Sequence, residues 1–176
     1  TVPAWARPDG STFTHPPTDS QDYADFVSTL VGRYRGRVAF YQLWNEPNLA
    51  FEWGNRNVSA SEFVPLLKAG YVAAKRADPH CVVVAPALAP TIDRGPANRN
   101  DTLYLREMYE AGAREYFDLM STMAYGLLSG PDDRRVDAFW QVNFSRAQLL
   151  RQIMVEYGDA DKPICFSELA WNALPD

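Results

Sequence analysis

The stretch Val38-Ala39-Phe40-Tyr41-Gln42-Leu43-Trp44-Asn45-Glu46-Pro47-Asn48 decides the fold. Residues 38–44 form a short β-branched and aromatic run, which reads as a strand. Pro47 stops the strand and fixes the backbone after Glu46. A carboxylate thus stands at the C-terminal end of a strand, where helix-covered parallel sheets place their ligands. A plain turn also accounts for Asn45, Pro47 and Asn48, with Glu46 a solvated charge, and these residues alone do not choose.

The same pattern recurs outward. Cys81 to Ala85, Phe117 to Met123 and Pro163 to Ser167 read as three more strands. Their near-continuous apolar character predicts burial on both faces. Between them lie helical signals. Tyr23, Phe26, Val27, Leu30, Val31 and Tyr34 share one helix face. Ser59 and Glu62 predict a capping box, with Val58 and Phe63 as its staple, and Ser145 and Gln148 predict another, with Phe144 and Leu149. A helix from near Asp101 carries Leu105, Met108 and Tyr109 to Gly112, and Gly158 reads as a left-handed cap. This alternation predicts an α/β fold with a parallel sheet and right-handed crossovers. The stretches 9–19, 90–101 and 130–143 read as loops beyond the strand ends.

A second carboxylate ends a second strand, in Ser167-Glu168-Leu169-Ala170-Trp171. Two carboxyl groups facing one bond are what glycoside hydrolysis requires, one to donate a proton and one to attack or to activate water. Composition is compatible. The net charge of −5 disfavours a nucleic acid or an anionic membrane as partner. His15, His80, Cys81 and Cys165 have no metal-ligand spacing, so no metal is expected, and both cysteines read as buried thiols. Five Trp and nine Tyr suit sugar stacking as well as a core. The sequence shows no secretory leader or membrane-spanning run, but Thr1 reads as lying within a structured loop, so that absence carries no information.

Residues 41–48 resemble the WNEPN signature of glycoside hydrolase clan A, most closely its xylosidase/iduronidase-like and cellulase-like families. Pro3 to Ala6, Pro16-Pro17, Tyr23 to Val27, Arg33-Tyr34, Val83 to Pro86, Ser121 to Gly126 and Ser167-Glu168 with Trp171 continue the resemblance over nearly the whole chain. It implies a partial (β/α)8 barrel, strands four to seven with the preceding loop and helix, residues 1–176 being part of one catalytic domain. A full barrel needs about 250 residues, so strands one to three and eight are expected elsewhere. The resemblance makes Glu46 the acid/base and Glu168 the nucleophile of a retaining O-glycosidase, with the carboxyls about 5–5.5 Å apart. Asn45 would bind the sugar 2-hydroxyl, Tyr125 would hydrogen-bond the nucleophile, and Trp171 would form a platform. Trp53, Trp5 and His15 join them as candidates for the cleft, and Glu52 reads as a solvated loop charge. A carbohydrate substrate, no cofactor and an extracellular or periplasmic location for the full-length protein follow, with no indication of oligomeric state.

Strict strand alternation puts Asn45 and Glu46 on opposite faces, so an irregular strand end is predicted. Met123-Ala124 stands where the family has His-Pro, and Gln42 where relatives often have Glu. These departures keep two alternatives open: a noncatalytic carbohydrate-binding relative, and a piece inactive without the rest of the barrel, its open strand edges inviting pairing.

Overall fold

The structure, a computed structural model, describes residues 1–126, 129–136 and 140–171. Its elements are α1 (Ser20–Arg33), β1 (Phe40–Gln42), α2 (Ala60–Ala77), β2 (Val82–Val84), α3 (Asp101–Glu110), β3 (Met120–Tyr125), α4 (Ala147–Glu156) and β4 (Ile164–Ala170). The pairs β1–β2 and β3–β4 are parallel. Parallel bridges Val84–Leu119 and Leu88–Thr122 join the pairs, so the strands run side by side in chain order. Ser121 on β3 donates to Gln42 Oε1 on β1 at 3.2 Å, past the intervening β2. Side chains two strands apart meet only when the sheet curls, as it does in a barrel.

The core lies between the helices and the outer sheet face. Val27 and Val31 of α1, Phe63 and Leu67 of α2, Leu105 and Met108 of α3, and Leu150 and Met154 of α4 cover Val83, Phe117 and Met120. Gly70 allows the α1–α2 contact, since a Cβ there would stand 2.9 Å from the Tyr23 ring and 3.0 Å from Leu43. The expectation of strands buried on both faces holds for β3, of which only Tyr125 is partly exposed. It fails for β1 and β4. Phe40 is 60% and Leu169 55% exposed, because these strands are the outermost of the four.

The helix ends at Gly112, with φ +88°, and Gly158 match the sequence expectation, the one at Ser59 matches in part, and the one at Ser145 does not. Ser59 Oγ accepts the Glu62 amide at 3.2 Å, but the Glu62 carboxylate turns to Arg56 rather than closing the capping box. Gly158, at φ +80°, completes a Schellman end: its amide donates to Val155 and that of Asp159 to Met154. The predicted box of Ser145 and Gln148 does not form. Ser145 donates instead to the Asp133 carbonyl, and α4 starts after a 3-10 turn, Phe144–Arg146. Of the expected loop 130–143, residues 137–139 lie outside the described residues.

That turn is locked by charge. The Arg146 guanidinium grips Asp101, the first residue of α3, with Nε 3.0 and 2.9 Å from the two carboxylate oxygens. The side chains are 2% and 1% exposed. Burial pushes the Asp101 carboxyl up more than Arg146 pulls it down, so the pair works by matching charges that neither partner can leave alone. Replacing Asp101 with Ala in the full-length protein should cost about 3–5 kcal/mol in urea unfolding. A loss below about 1 kcal/mol, the level of a surface pair, would refute a locking role.

Candidate active site

The end of β1 is irregular, as expected. Trp44 has φ +71° and Glu46 φ +43°, both in the left-handed region that costs a side chain about 1–3 kcal/mol. Asn45 between them still bridges Ala87 in parallel register. The Glu46 amide donates to the Ala87 carbonyl at 2.9 Å. Trp44 is held by edge-on contacts to Tyr23 (5.9 Å) and Trp53 (5.6 Å), and its indole N–H donates to the Glu52 carbonyl at 3.2 Å. The two inverted residues interrupt regular strand alternation on either side of Asn45.

The second carboxylate also follows an irregularity. Thr122 pairs with Phe166 but Met123 pairs with Glu168, so Ser167 is an extra residue in β4. The bulge sets Glu168 beside β3, where the Tyr125 hydroxyl donates to its Oε2. That bond, then burial and the charges of Glu168 and Glu46, push the Tyr125 hydroxyl up to about 12. Tyr125 therefore stays a donor. Glu46 is half-buried, and its carboxyl lies above the usual range through burial first, then the negative charges of Glu52 and Glu168. The ends of β1, β3 and β4 thus form one electrostatic group.

The other candidates divide. Trp5 is 76% exposed and lines a cavity of about 570 Å³ together with Gln42, Trp44, Asn45 and Glu52. Trp171 donates its indole N–H to the Ser129 carbonyl at 3.2 Å and lies 6.0 Å from the Phe144 ring, which stacks on Phe166 at 5.1 Å. A Cβ on Gly126 would collide with the Trp171 indole, so that position requires glycine. Trp53 is corrected: it is 1% exposed and packs on Trp44 and Phe63, where its ring supports the loop from beneath. His15 packs against Gly54, with Nδ1 2.6 Å from the Pro16 carbonyl, and is not among the residues lining the cavity beside Asn45.

Glu52 is also corrected. It is partly buried, lines the cavity and bears on Glu46 more strongly than Glu168 does. Its position in the loop just after Glu46 was the available signal, outweighed by the default of exposure for a loop carboxylate. Phe144 was legible only as a staple; its stacking on Phe166 is a contact across the chain that no local pattern records. Among the described residues no group of three or more His, Cys, Asp or Glu converges as a metal site, and no helix is long and apolar enough to cross a membrane.

No protein-family model matches the chain, and no curated protein does. Solved structures do. A glucosidase from Croceicoccus marinus is 22% identical over 92% of this chain and 32% of its own, with a TM-score of 0.64. A family 39 glycoside hydrolase from Bacteroides cellulosilyticus WH2 is 22% identical over 98% of this chain and 35% of its own, with a TM-score of 0.66. A family 44 endoglucanase from Clostridium thermocellum is 19% identical over 85% of this chain and 40% of its own, with a TM-score of 0.61. The chain spans 32–40% of the length of these proteins. At such identities the likeness speaks for the backbone alone, which has the fold of part of these glycoside hydrolase structures.

Proposed function

We propose that the complete polypeptide hydrolyses O-glycosidic bonds of a poly- or oligosaccharide by retaining double displacement. The chain is then the strand-four to strand-seven portion of its barrel, and the activity belongs to the whole barrel. The observation that supports this reading is the group of Glu46, Tyr125 and Glu168 at the ends of β1, β3 and β4, with Tyr125 bonded to Glu168 and the charge of Glu168 bearing on Glu46.

Glu168 attacks the anomeric carbon while the glycosidic C–O bond breaks and Glu46 gives its proton to the leaving oxygen. Water then attacks the same carbon, Glu46 takes its proton, and the bond to Glu168 breaks. The charge coupling suits both steps. While Glu168 is ionised it helps keep Glu46 protonated, together with burial and Glu52. Once Glu168 is esterified that repulsion is gone, and Glu46 more readily ionises to act as base. Tyr125 orients the attacking carboxylate. Asn45 offers an amide to the 2-hydroxyl, and Trp5 and Trp171 supply flat apolar faces for sugar rings. The neighbours' glycoside hydrolase fold supports the reaction class and leaves sugar and linkage unassigned.

Two outcomes follow. A 2-deoxy-2-fluoro glycoside should trap the full-length protein with the label on Glu168, located by peptide mass mapping; a full-length protein that turns over glycosides without labelling there contradicts the assignment. Glu52→Gln removes a negative neighbour and so lowers the pKa of Glu46. The alkaline limb of kcat/KM should therefore move to lower pH, since the acid form is lost sooner. An unmoved limb would exclude Glu52 from tuning Glu46.

A further inference from the structure

We propose that Asn48 is a positioning residue for Glu46, acting as a clamp that holds the inverted end of β1. This rests on Glu46 being the acid/base. Asn48 is fully buried. Its side-chain amide donates to the Ala89 carbonyl at 2.9 Å and to the Arg99 carbonyl at 2.8 Å, and its Oδ1 accepts the Ala89 amide at 2.9 Å. Its own carbonyl accepts the Arg99 amide at 2.8 Å. One side chain thereby ties the loop after β1 to two separate points of the chain after β2.

The span between clamp and strand is short and strained. Trp44 and Glu46 are both left-handed, Pro47 is rigid, and Leu49 donates back to the Glu46 carbonyl at 2.9 Å. Strain of this kind persists only where the surroundings over-determine it. On the strand side the Glu46 amide is fixed to Ala87; on the far side Asn48 is fixed to Ala89, two residues further along the same segment. Glu46 is therefore pinned at both ends against one run, 87–89. Without the Asn48 amide the turn relaxes toward ordinary backbone, and the carboxyl leaves its half-buried place near Glu52 and Glu168, the ionisable groups that bear on it, and Tyr125, on which it bears.

The test uses Asn48→Ser and Asn48→Ala in the full-length protein, with Leu105→Ala, a fully buried core position on α3, as a control of comparable destabilisation. A displaced proton donor matters most when the leaving group is poor. For the Asn48 variants kcat/KM on a glycoside with an alkyl or sugar leaving group should fall about 100-fold more than on a dinitrophenyl glycoside, within the usual reach of general acid catalysis. For Leu105→Ala the two substrates should fall together. In parallel, 13C NMR titration of the Glu46 side-chain carboxyl should give a lower pKa in both Asn48 variants than in the parent and the control. Equal losses on both substrates, or an unmoved Glu46 titration, would overturn the clamp. If the parent hydrolyses no glycoside at all, the glycosidase reading falls, and the titration still decides whether Asn48 positions Glu46. If one Asn48 variant fails to fold, the other supplies the same readouts.

Discussion

The end of β1, where two non-glycine residues are forced into left-handed backbone around Asn45, is the constraint on which the site depends. A regular strand would send successive side chains to opposite faces and leave Asn45 and Glu46 in different environments. The inverted turn breaks that rule within three residues. It is held from both sides: aromatic rings from α1 and the following loop press on Trp44, and the β2 extension bonds the backbone beyond it. The bulge at Ser167 in β4 is the counterpart. Two independent departures from regular strand geometry, at the ends of β1 and β4, carry two carboxylates, and the charge of Glu168 bears on Glu46.

Burial first, and then charge, sets the surroundings of Glu46. Glu46 is half-buried between two other carboxylates, which raises its affinity for a proton, while Glu168 takes a hydrogen bond from Tyr125 on an exposed strand. The division of labour proposed for them, donor and nucleophile, would come from these surroundings, since the side chains are chemically alike. Phe40 and Leu169 lie exposed on the two outermost strands of the curled sheet.

Much of this was legible in the sequence, because local chemistry dictated it. The α–β alternation, the Ser59 cap, the Gly112 and Gly158 helix ends and the two glutamates at strand ends all follow from short-range patterns. The irregular end of β1 followed from a conflict between alternation and the need for two residues at one site. What escaped was long-range. Ser145 resembles a cap, yet a carbonyl twelve residues away captures its hydroxyl. Trp53 looked like a cleft residue until its burial against Phe63 removed it. Glu52 looked solvated because no local pattern records which side of a loop faces a cavity.

The stereochemistry of the first-formed product tests the paired glutamates most directly. Proton NMR of the full-length protein hydrolysing an aryl glycoside, read before the sugar mutarotates, should show the anomer of the substrate retained. Appearance of the opposite anomer first would contradict a nucleophilic Glu168, since inversion requires water between carboxyls about 6.5–9.5 Å apart.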